Sequence, residues 1–245
     1  MPVVVNLQSL GTYKKLRNRT ADFDAQPSLL NERRRYGKLR EQQFMDLTKG
    51  SDKFKDEGFG DCLFSFFDYT KKTNPPGTPL KQAIGSDFVS NRRNLINFAE
   101  SPYPSARKFE VRAIRKDGVI FLCDTESRSV QSNDWSYGFK FEKYMTLNEH
   151  GVPHDDDEPA SNAECVKAVL RTTFESEGKE MKVFYAAELD AIDKSGDTVE
   201  FKTTHLGYLK WVQRRSLRDY LQSYLGGISY IVKGFTKDHV VIKVC

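Results

Sequence analysis

Glu188-Leu189-Asp190 is followed, after nine residues, by Glu200-Phe201-Lys202. In an extended strand, residues two apart share a face. Glu188 pairs with Asp190 in this way, and Glu200 with Lys202. The intervening Asp193–Asp197 segment contains Ser195-Gly196 and reads as a turn, so the spacing predicts a hairpin. A suitable register brings the three carboxylates and the ammonium onto one face and leaves Leu189 and Phe201 to anchor the other. Like charges about 4 Å apart repel by several kcal/mol at the effective dielectric of a protein surface. One lysine offsets only part of that cost. A hard divalent cation, Mg²⁺ or Mn²⁺, removes it, because carboxylate oxygens are its preferred ligands. Two such ions sharing carboxylates can activate a water and stabilise the departing oxygen of a phosphodiester. The adjacent lysine can orient that water or offset developing charge. An E-x-K triplet is common, and Glu177-Gly178-Lys179 and Glu180-Met181-Lys182 match it too. The nuclease signal lies in the pairing of an acidic strand, a turn and E-x-K on the return.

Gly138-Phe139-Lys140-Phe141-Glu142 supplies a further carboxylate. Its alternation reads as a strand with Lys140 and Glu142 on one face and Phe139 and Phe141 on the other.

These motifs need a scaffold. Lys108–Arg115 and Val119–Leu122 flank the Lys116-Asp117-Gly118 turn and predict a hairpin. Ser161-Asn162-Ala163-Glu164 has the form of a capping box and predicts a helix through Leu170 to Phe174. Lys182–Ile192 and Val199–Thr204 predict strands. Leu209–Leu225 predicts a helix stopped by Gly226-Gly227, and Ile228–Val232 and His239–Val244 predict two last strands. The fold class expected is mixed α/β (α+β): largely antiparallel or mixed sheets with flanking helices, in one domain over residues 1–245.

The chain has 245 residues, and 38 Lys+Arg against 34 Asp+Glu give a net charge of +4. Residues 1–60 carry 12 Lys/Arg against 8 Asp/Glu and form a basic N-terminal part, with Arg33-Arg34-Arg35 as its densest run. Residues 61–245 would form the catalytic core. Cys62, Cys123, Cys165 and Cys245 are scattered, which fits neither a disulfide framework nor a structural zinc site. His150 and His154 have helical spacing, but Gly151 and Pro153 between them place them in a loop. The run Asp155-Asp156-Asp157-Glu158 reads as a solvated loop. No apolar run approaches the ~20 residues of a membrane span, and the N-terminus has no secretory pattern. An intracellular protein of nucleus or cytoplasm is expected, with no membrane partner.

The ordered motifs resemble the DXO family of RNA decapping enzymes and 5′-to-3′ exoribonucleases, relatives of the PD-(D/E)XK metal-dependent nucleases. Gly138–Glu142, Glu188–Asp190 and Glu200–Lys202 match three family motifs in order. Gln222, in Tyr220-Leu-Gln-Ser-Tyr-Leu225, matches the family glutamine, and Arg92, in Asp87–Leu95, the family arginine. The resemblance runs from about Asp22 to the end and implies a PD-(D/E)XK-like core. It implies that Glu188, Asp190, Glu200 and the backbone carbonyl of Phe201 bind metal, with Glu142 binding directly or through water. Lys202 and Gln222 would position the scissile phosphate or the attacking water, and Arg92 would contact RNA phosphate. The implied activity is removal of incomplete or non-canonical RNA 5′ ends (unmethylated caps, triphosphates, NAD caps), with possible exonuclease action afterwards. The implied partners are RNA 5′ ends and a protein such as a 5′-to-3′ exoribonuclease. Asn91 and Arg93 depart from the family pattern around Arg92, and the sequence has less chain after Gly234-Phe235 than the family usually carries. A catalytically weak RNA 5′-end binding or adaptor protein is the alternative, and the hairpin alone also permits a DNA nuclease.

Overall fold

A computed structural model describes residues 4–23, 26–36, 45–54, 63–103, 106, 108–124 and 136–245. Cys62 and parts of the basic 1–60 segment lie outside the described residues.

Two mixed sheets carry the fold, flanked by helices, as expected. The larger has seven strands in the order β2-β1-β6-β7-β3-β5-β4. Its centre is the long antiparallel ribbon of β1 (Val4–Lys15), β6 (Cys165–Ser176) and β7 (Lys179–Leu189). The short β2 (Ala21–Asp22) edges β1. On the other side β3 (Phe88–Val89) runs parallel to both β7 and β5 (Val119–Asp124), and β5 forms the expected hairpin with β4 (Val111–Lys116). That turn places Asp117 and Gly118 at φ 46° and 80°, and a glycine takes such a conformation without strain.

β7 is buried on both faces, and its residues alternate between two cores. Val183, Tyr185, Ala187 and Leu189 pack with Leu95 and Ile96 of α4 (Arg92–Glu100), which follows α1 (Glu32–Tyr36), α2 (Phe64–Thr73) and α3 (Leu80–Ile84) in the chain. Phe184 and Ala186 pack on the opposite face with Phe66 and Tyr69 of α2 and Ile84 of α3. Period-two alternation is what a doubly covered strand must show.

The smaller sheet has the order β11-β10-β9-β8: β8 (Ala191–Ile192), β9 (Thr198–Thr204), β10 (Tyr230–Lys237) and β11 (Val240–Val244). β9 and β10 are parallel, and the other pairings are antiparallel. Val199, Phe201, Val232 and Val241 pack one face of this sheet against Phe141, Tyr144 and Met145.

Three expectations need correction. Gly138–Glu142 is not a strand: it lies within helix α5 (Ser136–Met145). Tyr137, Phe141, Tyr144 and Met145 follow helical spacing and bury one stripe on the small sheet, which overrides the local Phe-Lys-Phe-Glu alternation. Ser161–Glu164 opens no helix; the chain enters strand β6, where Val166, Val169, Thr172 and Thr173 favour an extended backbone. The segment expected as one helix over Leu209–Leu225 is two, α6 (Tyr208–Arg214) and α7 (Ser216–Tyr224), broken at Arg215. Among the described residues no helix is long and apolar enough to cross a membrane.

Candidate nuclease site

The chain leaves the large sheet at Leu189 and enters the small one at Ala191, so Asp190 sits at the seam between them. The expected hairpin is therefore only partly formed. β8 and β9 pair antiparallel through Ala191↔Val199 and Ile192↔Thr198, whereas Glu188 belongs to β7 and pairs with Lys167 of β6. The carboxylates meet at a junction of two sheets, not on one flat hairpin face.

Asp190 accepts a hydrogen bond from the main-chain N–H of Phe201 at 2.7 Å. The N–H and C=O of one strand residue point to the same edge, so the Phe201 carbonyl also faces the seam, beyond the end of the β8–β9 pairing. The Phe201 side chain is buried on the other face, edge-on to Phe141 with ring centroids 6.0 Å apart. Burying Phe201 and Val199 under α5 obliges Glu200, between them, to face the opposite way.

Glu200 is only 1% exposed, and its partners set the site. Oε1 receives the Lys202 ammonium and, at 2.6 Å, the side-chain amide of Gln222 on α7. Oε2 is buried with no hydrogen-bond partner among the described residues. Arg92 Nη1 lies 3.7 Å from it and donates instead to the main-chain carbonyl of Gln222 at 3.1 Å. Arg92 opens α4, where the Asn91 side chain caps the helix by accepting from the Asn94 N–H.

The electrostatics concentrate at this point. Burial, followed by Asp190 and Glu188, pushes the Glu142 carboxyl well above the ordinary carboxylate range, with Lys202 opposing and Glu200 adding. Burial, followed by Glu200, does the same to Asp190. Lys202 is pulled down by burial, but Glu200 and Asp190 outweigh that and keep its ammonium charged. Helix α5 thus brings Glu142 into electrostatic reach of Glu188, Asp190, Glu200 and Lys202, although by a different local structure from the one expected. The structure gathers Arg92, Glu142, Glu188, Asp190, Glu200, Lys202 and Gln222 into one locality.

A buried carboxylate oxygen without a hydrogen bond among the described residues, beside three further carboxylates, fits a hard divalent cation. Among the described residues no three His, Cys, Asp or Glu side chains stand closed at metal-ligand spacing. Glu200 Oε1 is taken up by Lys202 and Gln222, and Asp190 by the Phe201 amide.

Several neighbours of the site were not anticipated. Lys233 on β10 is 5% exposed and pairs with Asp219 on α7. The Trp211 indole N–H donates to the same Asp219 oxygen at 2.8 Å. Asp219 lies three residues before Gln222, one helical turn, and that spacing was the available signal. Burial pulls the Lys233 ammonium below the ordinary lysine range against the pull of Asp219, and nearby Lys202 adds to the lowering. The Cys165 thiol is pushed well up by burial and by Glu188 beside it, so it stays protonated.

Other charged runs are structural. Arg35 stacks on the Tyr230 ring and donates to its hydroxyl at 2.7 Å, and Arg34 lies over Tyr144. The acidic loop is not merely solvated. The buried Lys140 ammonium donates to the Asp156 and Glu158 carbonyls, and Glu158 also meets Lys143 and His154.

A sheet junction presenting carboxylates, a lysine and a helix-borne glutamine is the arrangement of a PD-(D/E)XK-type nuclease. The chain belongs to the RAI1 like PD-(D/E)XK nuclease family, whose pattern matches residues 8–245. It is 26% identical over 209 residues to decapping nuclease Dom-3 of Caenorhabditis elegans, covering 78% of this chain and 53% of that protein. It thus spans about half the length of that curated relative. S. pombe Rai1, solved in complex with 3′-FADP, superposes with a TM-score of 0.74 at 22% identity, covering 100% of this chain and 74% of its own. Candida albicans Rai1, in complex with pU5-Mn²⁺, gives 0.76 at 17%, covering 100% and 72%. At these identities the two structures show a shared fold.

Proposed function

We propose that the chain is a divalent-metal-dependent nuclease that acts at RNA 5′ ends and removes incomplete or non-canonical ends such as unmethylated caps, triphosphates or NAD caps. The observation that carries this reading is the buried Oε2 of Glu200, which accepts no hydrogen bond among the described residues and faces Arg92 at 3.7 Å, at the meeting point of Asp190, Glu142, Lys202, Gln222 and Arg92. The names of the relatives, and the Mn²⁺ held by the Candida albicans protein, support the same chemistry.

On this reading Glu188, Asp190, Glu200 and the Phe201 carbonyl hold Mg²⁺ or Mn²⁺, two ions in all, with Glu142 ligating directly or through water. When bound, such ions supply Lewis-acid charge against a phosphate. The chain's own residues do the rest. Lys202 remains an ammonium and can donate to a phosphate oxygen or to the attacking water. Gln222 directs a neutral amide at the same point and can orient that water without changing the local charge. Arg92, tied to the α7 backbone, offers its guanidinium to the phosphate next along the strand. A site that holds the phosphate after the first nucleotide releases whatever lies on its 5′ side, so one geometry serves several kinds of 5′ end. Exonuclease action can follow by the same contacts. We read residues 1–245 as one unit, since β1 from the basic N-terminal part pairs along β6 in the central ribbon. An intracellular setting, nuclear or cytoplasmic, and an exoribonuclease partner belong to the same proposal.

The test uses 5′-triphosphate, GpppN-capped and NAD-capped RNA with and without Mn²⁺. Metal-dependent 5′ products that disappear in Asp190→Ala and Glu200→Ala are expected. No 5′ product, or unchanged rates in both variants, refutes it.

The second reading is an RNA 5′-end binding or adaptor protein without turnover. It is favoured by the engagement of Glu200 Oε1 with Lys202 and Gln222, which leaves no closed metal shell among the described residues. RNA affinity that falls with salt but survives chelation, without cleavage, distinguishes it.

A further inference from the structure

Parallel pairing of β9 and β10 aligns Glu200 with Ile231 and Lys202 with Lys233. Aligned residues on neighbouring strands share a face at a strand spacing of about 4.8 Å. The face bearing Glu200 and Lys202 therefore also bears Lys233. Helix α7 lies over it and makes two polar contacts one turn apart: Gln222 with Glu200, and Asp219 with Lys233. Trp211 of α6 closes the second contact. Its indole N–H donates to Asp219, and the Lys233 ammonium lies 4.4 Å from its ring centroid. The two helices on either side of the Arg215 break are thereby joined to β10 by one partly buried group of three side chains, with Lys233 at its buried end.

Such a group is a costly way to hold a helix. A buried ion pair usually contributes no more stability than an apolar pair of similar volume, and apolar packing already serves this helix at Leu221 and at Leu225 just past its end. What the ion pair adds is direction. It fixes the rotation and slide of α7 on the strands, and those two settings determine where the Gln222 amide points. They also determine where the Gln222 carbonyl stands, which Arg92 grips.

We propose that Lys233, Asp219 and Trp211 form a positioning clamp that sets the orientation of Gln222, and through its carbonyl that of Arg92, at the phosphate site. Lys233 is a positioning residue and touches no reacting atom. The proposal rests on the nuclease reading for its kinetic consequence, and the test has one readout that does not depend on it.

Protein labelled with ¹⁵N-glutamine gives a side-chain amide signal for Gln222, assigned by its loss in Gln222→Ala. In Lys233→Met, with the circular dichroism spectrum unchanged, that signal is expected to shift or broaden. Metal-dependent cleavage of 5′-triphosphate RNA should lose about 10- to 100-fold in kcat, the scale of a small misplacement of a catalytic group, with KM within about threefold. Lys233→Arg, which keeps a cation for Asp219, should recover most of the rate. In a Gln222→Ala background Lys233→Met should cost clearly less than in the unaltered chain, because only the main-chain carbonyl that holds Arg92 is then left for the clamp to set. If Lys233→Met does not fold, Asp219→Asn serves with the same expectations. A Gln222 amide unmoved in either folded variant overturns the clamp, as does full additivity with Gln222→Ala. A moved amide in a protein that cleaves no RNA supports the clamp and refutes the nuclease reading instead.

Discussion

The Gln222 amide donates to one oxygen of Glu200 at 2.6 Å, while the other oxygen of that buried carboxylate has no hydrogen-bond partner among the described residues. One half of the group is tied to α7 and Lys202, and the other half is held out of water facing Arg92 at 3.7 Å. An unmet oxygen in a buried carboxylate is costly, and its cost falls when a cation arrives.

Lys202→Met removes the close cation from this carboxylate. Breaking a buried pair by deleting one partner typically costs about 3–5 kcal/mol. Urea unfolding of the metal-free variant should show a loss of that order, and Mn²⁺ should recover part of it. A loss below about 1 kcal/mol contradicts the pairing, because exposed ion pairs account for that much.

Asp190→Asn should do the opposite. It keeps an oxygen for the Phe201 N–H but, at pH above the raised Asp190 value, removes one negative charge from the cluster of Glu142, Glu188 and Glu200. The metal-free melting temperature should rise by about 2–4 °C per kcal/mol of repulsion relieved, and the stabilisation by Mn²⁺ should vanish. A metal response equal to that of the unaltered chain contradicts the role given to Asp190.

The pH dependence follows from Glu142 and Asp190, both raised by burial first and by neighbouring carboxylates second. Between the ordinary carboxylate value of about 4 and the raised values, the folded chain binds more protons than the unfolded one. Without metal, this contribution to stability is fully present below the lower limit and is lost as pH rises through the raised values. Divalent cations displace those protons, so Mn²⁺ should raise the melting temperature more at about pH 8 than at about pH 5. Melting curves across pH with and without Mn²⁺ check this, and a metal effect independent of pH contradicts it.

Gly234→Ala tests the packing that brings Glu142 to the site. A Cβ at Gly234 would stand 2.8 Å from the Phe141 ring, which is fully buried on α5. Overpacking of this kind costs about 1–3 kcal/mol. A loss in that range by thermal unfolding, with reduced Mn²⁺ affinity, is expected; a neutral substitution contradicts the close fit of α5 on β10.

Glu188, Glu200 and Lys202 were legible in the sequence because each lies in a strand whose other face is apolar, and Asp190 directly follows one: Leu189 and Phe201 are buried where alternation put them. Glu142 was reached through the wrong local structure. Four residues of Phe-Lys-Phe-Glu satisfy a period of two, and only the longer span from Tyr137 to Met145 reveals the helical stripe. The misread of Cys165–Ser176 has the opposite cause. A cap-like tetrapeptide outweighed a β-branched run whose strand identity depends on pairing with β1 and β7, each distant in sequence or on the return of a tight turn. The sheet change at Asp190 and the clamp of Lys233 on Asp219 are tertiary and leave no local pattern.

The most direct measurement is anomalous diffraction from crystals of this chain soaked in Mn²⁺. A manganese peak is expected within about 2.0–2.6 Å of Glu200 Oε2, the oxygen-ligand range of such ions, shared with Asp190 and accompanied by displacement of Lys202 or Gln222 from Glu200. Saturating Mn²⁺ with no peak at the Asp190–Glu200 seam, and Glu200 still paired to Lys202 and Gln222, would contradict it.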